Sequence, residues 1–288
     1  MIYGLQMGAV IVNKGFEQGL KDYEEIAKKA GLESIEIDFS HPALFTDGLK
    51  ARVLLSEIGP ELKKKIKSFV KPFKIKGGHL LWSSMGIFPV SENEIIQKAS
   101  WQVIRESIKK AQELGLNYVT LHSAHPVKNM PEHTVREKFR KAVLDNADIL
   151  DECKIVMAIE NMGGDEAWLI ETIRGMKNSH VRMTFDIGHY FNFEIASKKI
   201  SLADSLPGLV SLIKSAEGII RNVHMHDHSG QSDHLPIGKG VVDFKPIIQA
   251  FRSINYPGPI NLEFATNNLQ DAIESIRILK EYERFMSG

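Results

Sequence analysis

The sequence predicts one α/β domain over residues 1–288, a single (β/α)8 barrel of the TIM type. Three observations lead there. The chain has 288 residues, and a barrel of this kind typically needs about 250. Short apolar runs and longer amphipathic stretches alternate eight times along it. No Pro/Ser-rich linker, solenoid repeat or low-complexity segment interrupts the alternation.

The strands are expected at 3–12, 34–39, 73–80, 118–121, 155–159, 181–185, 220–225 and 259–262. Each is short and reads as a continuous apolar run, the pattern of a strand covered on both faces. The first, within MIYGLQMGAVIVNKGF, has neither a basic leader nor a small-residue cleavage pattern, so it reads as a strand rather than a signal peptide. Helices are expected at 16–30, 56–69, 91–114, 131–151, 168–176, 201–216, 244–254 and 269–285. Ser91-Glu92-Asn93-Glu94 looks like a capped start, and Pro131 opens the next helix. Gly31 and Gly115 stand just past helix ends, where a left-handed cap is wanted. The rival reading is two doubly wound domains meeting near residue 150. It loses support because no GxGxxG follows the first strand and no GxxxxGK[ST] occurs.

Composition narrows the function. A 43% hydrophobic and 25% charged chain excludes wholesale disorder. No apolar run reaches the ~18–20 residues of a membrane span. The single cysteine, Cys153, excludes an internal disulfide and a cysteine-rich zinc knuckle, and it fits a reducing cytoplasm. Lys+Arg and Asp+Glu balance at 36 each, which argues against a general nucleic-acid binder. The run Lys63-Lys64-Lys65-Ile66-Lys67, with Lys71, Lys74 and Lys76, falls on the barrel face opposite the expected site and reads as a solvated surface.

The 11 histidines are the unusual entry. The active face of such a barrel lies at the C-terminal strand ends, and six consecutive strands end there in His, Asp or Glu. They supply His79, His122, Glu160, Asp186 with His189, His224 with His226, and Glu263, and His234 follows in the loop after strand seven. Imidazole and carboxylate without thiolate suit a zinc or manganese ion rather than a structural zinc site. Glu160, Asp186, His224 and Glu263 would form one ring of ligands. His79 and His122 could hold a second ion with Glu160 bridging, and His189 with His234 a third. His226, two residues from His224, points the same way along the strand and serves as ligand, substrate contact or donor to a ligand. Gly188 is expected to let the chain turn so that Asp186 and His189 both face the cavity. Trp82 and Asp233 are candidate substrate contacts, with plain packing the alternative for Trp82. His41, His125, His133, His180 and His228 read as ordinary surface or loop residues.

The segments IENMGG, TFDIGH, HMHD, HLPIGKG and NLEF make the chain resemble the xylose isomerase-like barrel superfamily over essentially its whole length. That superfamily joins sugar and sugar-phosphate isomerases and epimerases with endonuclease IV. The resemblance implies that Glu160, Asp186, His224 and Glu263 are the shared metal ring. His79, His122, His189 and His234 match the further ligands of the trinuclear zinc site in the endonuclease branch. Three departures from that branch stand out: Ser232 where it has Asp, DIGH for DTCH, and SAHP after His122. EIDFSHP and HMHD with HLPIGKG favour the isomerase/epimerase branch.

The expectation is therefore a metal-dependent isomerase or epimerase of a small sugar, with one to three divalent ions. Glu160 and Glu263 would act as the acid/base pair, and the ion would stabilise an enediolate. The alternative is an endonuclease IV-like zinc phosphodiesterase acting on abasic DNA, which must neutralise phosphates with a face that mixes acids and few lysines. A non-catalytic barrel is disfavoured, because buried acids and histidines facing one cavity are costly unless satisfied. Many members of the resembled family are dimers or tetramers, which leaves a homo-oligomer open.

Overall fold

The computed structural model describes residues 1–7, 16–38, 59–80, 86–124, 126–264 and 268–285. Strands β1 (Ile2–Gln6), β2 (Ser34–Asp38), β3 (Ile75–His79), β4 (Tyr118–His122), β5 (Val156–Glu160), β6 (Val181–Asp186), β7 (Ile220–Met225) and β8 (Pro259–Leu262) pair in that order. All pairs are parallel, and β8 returns to β1 to close the barrel. Around them lie helices α1 (Phe16–Ala30), α2 (Pro60–Val70), α3 (Glu94–Leu114), α4 (Glu132–Asp145), α5 (Asp148–Cys153), α6 (Glu166–Met176), α7 (Ile187–Lys198), α8 (Leu202–Ser215), α9 (Phe244–Ser253) and α10 (Leu269–Phe285). None of the described helices is long and apolar enough to cross a membrane.

The caps read from sequence are present. Asn93 accepts from the amides of Ile95 and Ile96, and Gly31 and Gly115 adopt φ of 65° and 78°. Pro131 stands one place earlier than expected, at the N-cap of α4.

Three expectations are corrected. The helix expected over 131–151 breaks in two at Asn146, whose Nδ2 donates back to the Ala142 carbonyl at 2.9 Å and competes with the helical ladder. Helix α7 was not anticipated. It starts directly after β6 because the Asp186 carboxylate caps it, accepting from the His189 amide at 2.7 Å. Its buried Ile187, Tyr190 and Phe191 share one face, but that face continues to the charged Glu194 while Phe193 and Ile195 lie off it, so the apolar pattern is blurred in the sequence.

The third correction concerns the strands, which alternate rather than run continuously apolar. Ile35, Ile37, Val119, Leu121, Met157, Ile159, Val223 and Met225 are buried in the apolar core. The residues between them bond across the barrel interior: Thr120 to Thr184 at 3.0 Å, Tyr118 to Glu36 at 2.6 Å and Asn222 to Glu36 at 2.7 Å. Both faces are buried, but only the outer one is apolar. Gly77 makes room for this interior, since a Cβ there would fall 2.2 Å from the Tyr118 ring.

Residues 8–12 of the first expected strand, Trp82, His41 and His125 lie outside the described residues. The lysine run falls on α2 and the N-terminal side of β3, where Lys63 pairs with Glu113 at 2.6 Å and Lys74 with Glu33.

Candidate active site

The alternation that buries isoleucine and methionine against the helices sends every second residue inward, so the last inward residues meet at the C-terminal mouth. In register, His122 stands beside Glu160 and Asp186 beside His224. One ligand atom from each of Glu160, Asp186, His224 and Glu263 lies within 4.8 Å of the others, and the same holds for His79, His122 and Glu160. His189, Asp233 and His234 form another such group.

Glu160 joins the first two groups. Its Oε1 is 2.8 Å from Nδ1 of His224, and its Oε2 is 3.0 Å from Nε2 of His79 and 3.4 Å from Nε2 of His122. Nδ1 of His224 is also 2.8 Å from Oε2 of Glu263. The Glu263 carboxylate is steadied by Gln6, whose Nε2 donates to Oε1 at 2.9 Å.

Counting ring protons shows which histidine nitrogens can bind a cation. A neutral imidazole carries one N–H and one lone pair, and the partner of one nitrogen dictates the role of the other. His79 donates from Nδ1 to the Leu80 carbonyl at 2.9 Å, and His189 from Nδ1 to the Asn161 carbonyl at 2.9 Å, so both offer Nε2. His224 donates from Nε2 to Glu36 at 2.9 Å, and its Nδ1 faces oxygens of Glu160 and Glu263 at 2.8 Å each, donating to Glu160 until a cation takes the place of that proton. Such outer acceptors behind imidazoles are the usual support of a metal site. The donor set therefore fits a divalent cation.

His226 is arranged the other way round. Its Nδ1 accepts from the His234 amide at 2.8 Å, which leaves the proton on Nε2, facing Asp186 Oδ2 at 3.3 Å. Both nitrogens thus have protein partners, and His226 stands behind Asp186 as a donor to a candidate ligand, one of the three roles expected for it. It also groups with His234 and Glu263 as a set that could hold a cation.

The charges follow. Burial alone would raise the Glu160 carboxyl, but His224 and His122 pull it well below the usual range. Glu263 behaves likewise beside His224, and Asp186 is lowered, against its burial, by His189 and His226. Burial would lower His224, yet Glu263, Glu160 and Glu36 push it well above its ordinary value. His234 rises to about 9 despite burial, chiefly through its hydrogen bond to Asp233. So much positive charge drawn onto the rings marks a site with an excess of carboxylate, which a cation would neutralise.

Each expected site residue within the described part reaches the mouth, though by different means. Gly188, expected from sequence to turn the chain, is instead helical. It is there for space, since a Cβ would lie 1.8 Å from Cε1 of His226. Ser232 sits in an exposed turn, bonded to Ser229. The neighbouring Asp233 turns inward to His234 Nδ1 at 3.0 Å, and its other oxygen accepts from Asn192. His228 is no surface residue. It is buried, accepts from the Gly230 amide at 2.8 Å and bonds Asn192 at 2.8 Å, so it steadies the side chain that holds Asp233. His180 pairs with Asp151 at 2.6 Å, and His133 is exposed.

Glu36, Gln6, Asn161 and Asn192 were missed from sequence. Glu36 had a readable signal in SIEID, a charge between two isoleucines that must face inward if they face the helices.

Fold and site together define a parallel (β/α)8 barrel whose C-terminal mouth carries a cluster of carboxylates and imidazoles. The chain belongs to the xylose isomerase-like TIM barrel family, whose model matches residues 25–282. An uncharacterized protein of Methanocaldococcus jannaschii is 30% identical over 210 residues, 67% of this chain and 66% of that protein. The chain thus spans just under two thirds of the length of that relative. An L-ribulose-5-phosphate 3-epimerase of Escherichia coli strain SMS-3-5 is 20% identical over 263 residues, 90% of this chain and 86% of the relative. Among solved structures, a D-tagatose 3-epimerase-like protein superposes with a TM-score of 0.77 at 22% identity, covering 100% of this chain and 98% of the other. A D-psicose 3-epimerase superposes at 0.72 with 15% identity, covering 99% of each.

Proposed function

We propose that the chain is a metal-dependent epimerase or isomerase of a small sugar. The observation that carries this is the placement of Glu160 and Glu263. They come from the end of β5 and the residue after β8, strands three places apart around the barrel, and each brings an oxygen to 2.8 Å from the same nitrogen of His224. Two carboxylates approaching one point from different sides suit removal of a proton from one face of a carbon and delivery to the other. The names of the sugar 3-epimerases among its relatives and structural neighbours support the substrate class.

Glu160, Asp186, His224 and Glu263 would hold one divalent cation, zinc or manganese. His79 and His122 could hold a second ion with Glu160 bridging. When bound, the cation would supply Lewis-acid polarisation of the sugar carbonyl. The rest falls to the chain. His226 keeps Asp186 aimed, Gln6 keeps Glu263 aimed, and the two glutamates exchange the proton next to the carbonyl.

The test is turnover of free and phosphorylated ketopentoses and ketohexoses in D2O with zinc or manganese, followed by NMR. Deuterium should enter the carbon next to the carbonyl as the epimer or isomer forms. Glu160→Gln and Glu263→Gln should each slow this by about 100-fold or more. Turnover untouched by Glu160→Gln would refute the assignment.

One observation favours a second reading. The grouping of His189, Asp233 and His234 brings a carboxylate to the third position in spite of Ser232, as a zinc phosphodiesterase would need. Salt-sensitive binding and cutting of an abasic duplex would support that reading, and absence of binding would eliminate it.

A further inference from the structure

Glu36 lies outside the four-residue cluster, yet it is fully buried inside the barrel and both of its oxygens are in use. Oε1 takes the Nε2 proton of His224 at 2.9 Å. Oε2 takes the Tyr118 hydroxyl proton at 2.6 Å and an Asn222 amide proton at 2.7 Å. These two donors are themselves oriented. Asn261 Nδ2 donates to the Tyr118 oxygen and to Asn222 Oδ1, each at 2.8 Å, so the Tyr118 proton and the Asn222 NH2 both turn to Glu36. Of the side-chain atoms in this network only Asn261 Oδ1 has no hydrogen-bond partner. The network ends by keeping a proton on Nε2 of His224.

We propose that Glu36 is a positioning residue that sets the His224 tautomer, so that Nδ1 presents its lone pair to the cation site. The inference rests on the cation reading above. It separates two nearly isosteric side chains. In Glu36→Gln, the two donors at Oε2 would hold the amide oxygen there and turn the NH2 toward His224 Nε2. Two donors cannot face each other, so the ring proton would move to Nδ1, where the cation belongs. Adding Asn222→Asp should reverse this. The introduced carboxylate accepts from the new amide's NH2, its carbonyl swings to Nε2, and the Tyr118 hydroxyl follows because it can accept as well as donate.

The experiment titrates zinc and manganese by calorimetry into metal-free wild type, Glu36→Gln and Glu36→Gln/Asn222→Asp, with folding checked by circular dichroism. It adds histidine side-chain 1H–15N spectra of the zinc-loaded wild type, with His224 assigned by its absence from His224→Gln. Glu36→Gln should bind about 10- to 100-fold more weakly, and the double variant should recover most of the loss. The wild-type spectrum should show His224 protonated on Nε2. A folded Glu36→Gln with wild-type affinity would overturn the role of Glu36 alone. Equal weakening in both variants would make Glu36 merely structural. If the single variant does not fold, the wild-type spectrum still decides, and a proton on Nδ1 overturns the proposal. A wild type that binds neither ion overturns the cation reading, and this inference with it.

Discussion

Glu166, the first residue of α6, is buried, with one oxygen accepting from Asn161 Nδ2 at 3.1 Å. Burial, and then the neighbouring Asp165 charge, push its carboxyl from 4.5 up to about 7. Between those values the folded protein holds a proton that the unfolded chain releases. Its contribution to stability is therefore full below pH 4.5 and lost as pH rises through about 7. The difference amounts to about 3 kcal/mol. Glu166→Gln has the shape of the protonated acid, keeps an oxygen for Asn161 and cannot ionise. It should melt within about 1 °C of wild type at pH 5, and roughly 5 °C above it at pH 8 for a chain of this size. The assay is thermal melting by circular dichroism in EDTA, so that metal binding does not enter. The same difference at both pH values, or a variant less stable at pH 8, would refute the reasoning.

Three further outcomes are expected. Gly188→Ala would put a Cβ 1.8 Å from the His226 ring and should destabilise by about 1–3 kcal/mol; an unchanged melting temperature would refute the close-packing role. Asp227 accepts from the amides of His228, Gly238, Gly240 and Val242 at 2.8–3.1 Å. Asp227→Asn would point an NH2 at two of these donors and cost about 1–3 kcal/mol. Faster hydrogen exchange at Gly238, Gly240 and Val242 is the readout, and unchanged exchange counts against the role. Saturating the proposed cation site at about 100 times Kd should stabilise the chain by about 2.7 kcal/mol, a rise of roughly 5 °C that EDTA removes. A melting temperature indifferent to zinc, manganese and chelator would tell against a bound ion.

The parts legible in the sequence were those governed by local chemistry. Alternating apolar runs and amphipathic stretches, with caps at Asn93, Gly31 and Gly115, specified a barrel, because hydrophobic period and cap geometry act over a few residues. That rule in turn placed Glu160, Asp186, His224 and Glu263 at strand ends. Helix α7 escaped because its start depends on a carboxylate of the preceding strand, and its buried face includes the charged Glu194 while Phe193 and Ile195 lie off it. The interior polarity was half hidden. Reading 34–39 as a continuous apolar run leaves Glu36 without a role, whereas alternation with Ile35 and Ile37 makes it the inward face.

Which histidine nitrogens can bind a cation was beyond the sequence, since that depends on partners far along the chain. Glu36 and His224 are 188 residues apart, and His226 takes its role from the His234 amide. Asp233 reaches His234 and Asn192 only because the loop folds its side chain inward, while Ser232 beside it stays exposed. The sequence by itself determined the barrel and the residue types at its mouth, because periodicity and composition are properties of neighbours. Only the tertiary structure decided what each imidazole does, because a ring proton goes to whichever acceptor the closed barrel brings within reach.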